Sequence, residues 1–199
     1  MSNEKASRNI AILIFENVEI LDFTGPYEVF ITASNRGKDF NIYTVAEKQQ
    51  PIIALGNLSI NPAFSCENCP TPDIVIIPGG WGSRKEMKNE TILNWIKQVS
   101  IDAELVLSVC TGALILAKTN LIDGLKLTTN RLAFNELKEV APKTAELLDA
   151  RYVDNGKFIF SAGVSAGIDM SLYAVERLLG KERAIHAATL MEYDWKRSD

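Results

Sequence analysis

The chain has 199 residues, 47% of them hydrophobic and 23% charged, ordinary usage for a globular protein and enough apolar material for a sizeable core. A net charge of −4 without a Lys/Arg stripe offers no footprint for a phosphate backbone, so no nucleic-acid partner is expected. The longest stretch without a charged residue near the middle of the chain, 105–117, is broken by Ser108, Cys110, Thr111 and Gly112 and falls short of the roughly 20 apolar residues a bilayer requires, so no membrane span is expected.

Lys5 and Arg8 precede the apolar run 10–15, but Glu16 and Glu19 follow at once without a small-residue cleavage pattern. The run reads as a strand buried on both faces rather than a signal peptide. Over 22–34 the residues Phe23, Tyr27, Val29, Phe30 and Ala33 recur at near-helical spacing, with Pro26 placed in the first turn and Asn35-Arg36-Gly37 ending the helix. Residues 40–45 alternate as a strand, 52–60 form a hairpin around Gly56-Asn57, and 73–77 is a second buried strand closed by Pro78-Gly79-Gly80. An amphipathic helix is expected over 86–100 through Met87, Ile92, Leu93 and Ile96. A third buried strand follows over 105–109, with a helix over 111–119 directly after it. Further on, 126–129 reads as a strand and 132–140 as a helix, Asp154-Asn155-Gly156 turns a hairpin, and helices over 165–179 and 181–195 close the sequence.

Buried strands alternating with helices predict one α/β domain over 1–199, a three-layer sandwich with a mainly parallel sheet and flanking helices, flavodoxin-like in plan. Ligands of such sheets bind beyond the carboxyl ends of the strands, which directs attention to 15–25, 78–84 and 109–112.

Cys110 stands between the strand 105–109 and the next helix, with Gly112 leaving room for a sharp bend. A thiol there faces the unpaired amides of the new helix, which favour thiolate and would hold a developing anion. The arrangement is that of a nucleophile elbow, although Ser108 occupies the place of the usual glycine. The alternative is a buried cysteine acting as a small hydrophobe. Gly79 and Gly80 could aim amides into the cleft as an oxyanion pocket, or form a plain turn, and Trp81 could wall that pocket or cover the sheet edge. Asp22 reads from its position as a helix N-cap. Its other reading is an acid sharing one proton with the thiol, with Glu19 as competitor.

The single histidine, His186, lies in the last helix among alanines and reads as a packed or interface residue. With no cluster of ligands, no metal is expected. The sequence has neither a phosphate-binding G-x-x-x-x-G-K-[ST] loop nor a G-x-G-x-x-G after the first strand, so no nucleotide cofactor is expected either. Three cysteines suit a reducing cytoplasm better than a disulfide framework, and Cys66-Glu67-Asn68-Cys69 reads as a loop, with redox chemistry the lesser alternative.

Five motifs together carry a family resemblance: Leu21-Asp22-Phe23-Thr24-Gly25-Pro26, Ile77-Pro78-Gly79-Gly80, Ser108-Val109-Cys110-Thr111-Gly112-Ala113, Leu121-Ile122-Asp123-Gly124 with Thr128-Thr129, and Gly163-Val164-Ser165-Ala166-Gly167-Ile168-Asp169. Over about 10–193 the chain resembles the ThiJ/PfpI superfamily of class I glutamine amidotransferase-like proteins, and within it the isonitrile hydratase branch. The resemblance implies Cys110 as nucleophile, Asp22 as the acid beside it, Thr111 contributing hydroxyl and amide, no cofactor, a small-molecule substrate, and a homodimer. Amino-terminal halves of AraC-type regulators share these motifs and carry a helix-turn-helix domain afterwards. A sequence ending at Asp199 is expected to lack one. Where many relatives read Thr-Thr-His, this chain reads Thr128-Thr129-Asn130, so a Cys-His pairing does not carry over.

The expected activity is therefore cysteine-dependent hydration of an isonitrile to an N-substituted formamide. The alternatives are glyoxalase-like or other hydrolytic action on small carbonyl compounds, a cysteine redox sensor, and a ligand-sensing relative of the regulators.

Overall fold

The computed structural model describes residues 7–197; Lys5 and the outermost ends of the 1–199 span lie outside the described residues. The strands are β1 (Arg8–Leu13), β2 (Phe40–Ala46), β3 (Ile52–Ile53), β4 (Ser59–Ile60), β5 (Phe64–Ser65), β6 (Ile74–Ile77), β7 (Leu105–Val109), β8 (Lys126–Leu127), β9 (Glu146–Leu147), β10 (Tyr152–Asp154) and β11 (Phe158–Ser161). The helices are α1 (Ile20–Ala33), α2 (Ser83–Glu86), α3 (Glu90–Asp102), α4 (Gly112–Ala117), α5 (Phe134–Val140), α6 (Ala166–Leu179) and α7 (Lys181–Leu190).

Seven strands form one sheet in the order β10-β11-β7-β6-β1-β2-β5, with every neighbour parallel except the β10–β11 hairpin. Helices flank this sheet: α1, α6 and α7 pack on one another, while α4 packs against α2 and α5. The β3–β4 hairpin and the β8–β9 pair stand apart as two-stranded additions. The central strands β6 and β7 are buried along their whole length, which is why their sequences are unbroken apolar runs instead of alternating ones. No described helix is long and apolar enough to cross a membrane.

Register positions the functional end of the sheet. Ile77 of β6 lies opposite Ser108 of β7, and Ser161 of β11 lies opposite Val109. The segments after these strands, Pro78 to Gly80, Cys110 to Thr111 and Ala162 to Gly163, therefore emerge side by side at the carboxyl ends of these neighbouring strands.

Several boundaries differ from the sequence expectation, each for a local reason. Helix α1 begins at Ile20, two residues early, with Glu19 at the cap position making no side-chain cap bond. Asp22 is thus not the N-cap, and Pro26 falls beyond the first turn. The helix expected over 86–100 is split, because the Asn89 side chain accepts from Thr91 N and Ile92 N and starts α3 afresh. The last helix stops at Leu190, and Glu192 just beyond it has φ 49°, a left-handed conformation that cannot continue it. His186 is exposed on α7 rather than packed within the chain.

Candidate active site

Cys110 has φ 55°, in the left-handed region that a non-glycine residue enters at a cost of about 1–2 kcal/mol. Neighbouring bonds hold it there: its N–H donates to Ser161 O at 3.1 Å and its carbonyl accepts from Thr129 Oγ1 at 2.7 Å. The bend brings the sulfur to a cavity of about 320 Å³ that Glu19, Gly80, Thr111, Asn130 and Val164 also border. The residue is only 6% exposed, so its access to small molecules runs through that cavity.

Asp22 projects from the first turn of α1 into the interior and is fully buried. Its Oδ2 accepts from Gly79 N at 3.0 Å, while Oδ1 is buried without a regular hydrogen bond. The Cys110 thiol is the titratable group that engages this carboxyl. Burial pushes the Asp22 pKa up to about 7, against the Gly79 amide and the thiol, which lower it. A carboxyl balanced there both gives and takes a proton at neutral pH.

The same burial, followed by the charge of Asp22, pushes the Cys110 thiol up to about 12. This reverses the expected helix-stabilised thiolate. The Thr111 amide and the Asn130 side chain do lower the thiol pKa, but six-residue α4 is too short an element to outweigh desolvation and a neighbouring carboxylate. The resting pair is a thiol beside an acid that titrates near neutrality.

The oxyanion pocket expected from Gly79 and Gly80 is also corrected, because both amides are engaged within the chain. Gly79 N–H serves Asp22, and Gly80 N–H donates to Thr111 Oγ1 at 2.9 Å, whose hydroxyl lies 3.2 Å from Gly80 O. The two glycines instead pin the acid and Thr111 to the end of β6. Gly80 needs its φ of 126° to do so, and a Cβ there would stand 2.4 Å from Asn17 O and Glu19 N. Thr111→Val, which strands the buried Gly80 amide, is expected to cost about 1–3 kcal/mol in urea denaturation; an unchanged transition midpoint contradicts this role.

Trp81 stands at the mouth of the cavity, 71% exposed, with the Arg84 guanidinium 5.2 Å from its ring centroid. Arg84 is in turn ion-paired with Glu136 at 2.6 Å. Leu55 and Leu132 complete the apolar rim, Leu132 being 99% exposed. Sequence reasoning named Trp81 as a possible pocket wall but missed Leu55 and Leu132, since an exposed leucine in a loop carries no period. It also noted Asn130 only as a missing histidine. Asn130 Oδ1 accepts from Leu132 N at 2.9 Å, which turns its amide NH₂ toward Cys110 as a neutral donor. Among the described residues, no group of three or more His, Cys, Asp or Glu is placed to hold a metal.

Asp22, Gly79, Gly80, Cys110 and Thr111 thus converge beyond the carboxyl ends of β6 and β7, and the profile of the DJ-1/PfpI family matches residues 8–177. The chain belongs to the DJ-1/PfpI family. Within it, the chain is 32% identical to isonitrile hydratase of Pseudomonas putida over 92% of its own length and 78% of that enzyme's. It is also 23% identical to the HTH-type transcriptional regulator GbdR of Pseudomonas aeruginosa, covering 96% of this chain and 52% of the regulator, so it spans about half of that relative. Among solved DJ-1/PfpI structures, a ThiJ/PfpI family protein from Pseudomonas syringae superposes with a TM-score of 0.87 at 27% identity, covering 98% of this chain and 79% of that one. The sandwich expected from the sequence is therefore the DJ-1/PfpI fold. Asp169, the last residue of the Gly163 motif, is buried and clasped by Arg151, by Tyr193 Oη at 3.1 Å and by Lys196 N at 2.8 Å, where it ties the carboxyl-terminal segment to α6.

Proposed function

We propose that this protein is a cofactor-free, cysteine-dependent hydratase that adds water to an isonitrile and releases an N-substituted formamide. The observation that carries the proposal is the fully buried Asp22 carboxyl, held by the Gly79 N–H at 3.0 Å beside the Cys110 thiol at the cavity wall, where burial pushes its pKa up to about 7. Similarity to the Pseudomonas putida enzyme supports it.

An isonitrile R–N≡C needs both a nucleophile and a proton at its terminal carbon. As Cys110 Sγ bonds to that carbon, Asp22 takes the S–H proton and passes it to the same carbon, giving the thioformimidate R–N=CH–S–Cys110. Water then adds to the carbon while Asp22 relays its proton to the nitrogen. The C–S bond breaks with the hydroxyl proton returning through Asp22 to the sulfur, which leaves R–NH–CHO and the starting thiol. Asn130 and the Thr111 amide, both donors to sulfur, stabilise charge on it as the bond forms and breaks. The rim of Leu55, Trp81, Leu132 and Val164 suits an uncharged apolar R group.

Cyclohexyl isonitrile supplied to the wild-type chain is expected to yield N-cyclohexylformamide by NMR, and in D₂O the formyl carbon is expected to carry deuterium delivered from solvent. A folded chain that leaves the isonitrile unchanged removes this reaction. Gly163 offers a second check, because a Cβ there would sit 2.7 Å from both Cys110 Sγ and Asn130 Nδ2. Gly163→Ala is expected to lower turnover about 100-fold by displacing the reacting group, with circular dichroism unchanged.

Glyoxalase-like chemistry would lack an imidazole base at the sulfur, where Asn130 stands. A redox sensor calls for a low-pKa exposed thiol, whereas Cys110 is buried and its pKa is raised. A homodimer in the cytoplasm is part of the same proposal and rests on family resemblance and cysteine usage; sedimentation of the purified chain measures the former.

A further inference from the structure

At the far edge of the sheet from β10, strand β5 runs into Ser65-Cys66-Glu67-Asn68-Cys69. Cys69 N–H donates to Ser65 O at 3.1 Å, the bond that closes a single helical turn, and Asn68 Oδ1 accepts from Ser65 N at 2.8 Å. Residues three apart in such a turn share a face with Cβ atoms about 5–6 Å apart, so a small side-chain and backbone adjustment brings the two sulfurs to disulfide geometry. Both thiols are free, both are half-buried, and both border a cavity of about 220 Å³ separate from the Cys110 cavity. The indole N–H of buried Trp95, in α3, donates to Cys69 Sγ at 3.4 Å.

We propose that Cys66 and Cys69 form a reversible dithiol–disulfide pair, oxidised by small neutral or cationic disulfides and independent of Cys110. Cys69 attacks first, because the Trp95 N–H stabilises negative charge on its sulfur. Its thiolate bonds to one sulfur of R–S–S–R, breaking that bond and expelling RS⁻. Cys66, losing its proton to solvent, then attacks the Cys69 sulfur, forms the Cys66–Cys69 bond and expels the second RS⁻. Two electrons pass from the cysteine pair to the small disulfide, and the two thiol protons end on the two released thiols. Cys66 is the second to react because burial, followed by the charge of Cys69, pushes its thiol up to about 12. The mixed disulfide on Cys69 removes that charge.

Charge selects the oxidant. Glu67 and Asp102 border the cavity and no Lys or Arg does, so an anionic disulfide is repelled and a cationic one attracted. The test supplies the wild-type chain with cystamine (cationic), hydroxyethyl disulfide (neutral) or glutathione disulfide (anionic), then maps the thiols by alkylation and peptide mass. The expected product is a Cys66–Cys69 disulfide, two hydrogens lighter than the dithiol and reversed by dithiothreitol. Cystamine is expected to act about ten-fold faster than glutathione disulfide at low ionic strength, with the gap closing in salt. Tryptophan fluorescence is expected to change on oxidation and to lose that change in Trp95→Phe. Cys66→Ser is expected to hold a mixed disulfide on Cys69. A wild-type chain that keeps a mixed disulfide on Cys69 beside an alkylatable Cys66, or that forms adducts on Cys110 alone, overturns the proposal.

Discussion

Asp22→Asn is expected to lower isonitrile turnover by about 10²–10⁴-fold while making the protein more stable above neutral pH. Asn preserves shape and can still accept from Gly79 N, so the backbone contact at 3.0 Å survives. What disappears is a group able to give and take a proton beside Cys110. The stability change follows from linkage. The folded-state pKa of about 7 lies above the ordinary 3.8, so the folded chain binds this proton more tightly than the unfolded one. Stability from the group is fully present below about pH 4, declines as pH rises through the folded pKa near 7, and stays lost above it. Removing the charge by substitution is expected to return about 2–4 kcal/mol at pH 8 and to flatten the decline between those pH values. Urea denaturation of both proteins at several pH values measures this. Equal pH slopes in variant and wild type contradict a raised carboxyl.

Cys110→Ala is expected to remove turnover altogether, a loss of at least about 10⁴-fold, because Cys110 is the one thiol among the described residues that line the cavity. The substitution keeps a β-carbon and therefore the left-handed strain at φ 55°, so the elbow itself is retained. Circular dichroism and urea stability are expected to stay close to wild type, the removed sulfur being small. Formamide production by a folded Cys110→Ala chain contradicts covalent catalysis at this position.

The parts of this protein that could be read in its sequence are those whose physics is local. Buried parallel strands show as unbroken apolar runs, as at Ile74 to Ile77, and the Asp154-Asn155-Gly156 signal does mark the β10–β11 hairpin, whose strands are joined through Asn155-Gly156-Lys157 with Gly156 at φ 82°. Two-residue strands such as Phe64–Ser65 and Glu146–Leu147 have no period to detect. The break at Asn89 escaped the sequence reading, because the apolar residues Met87 and Ile92 on either side of it keep a helical spacing across the cap.

The site divides in the same way. The position of Cys110 after a buried strand was legible, because a strand-to-helix bend is encoded within a few residues. Its protonation state was not, since the helix amides are local while the carboxylate and the desolvation come from chain segments far away. The contacts of Asp22 with Gly79 and of Thr111 with Gly80 join residues 57 and 31 positions apart. Only the packed carboxyl end of the sheet reveals that these glycine amides orient the acid and the threonine instead of facing the cavity.

The most direct measurement is the titration of Asp22 itself, followed by the carboxyl ¹³C shift in a chain labelled at aspartate, with Asp22→Asn identifying the signal. A midpoint near pH 7 that moves when Cys110 is replaced by Ala is the predicted result. A midpoint in the ordinary aspartate range, indifferent to Cys110, would contradict proton sharing between the two groups.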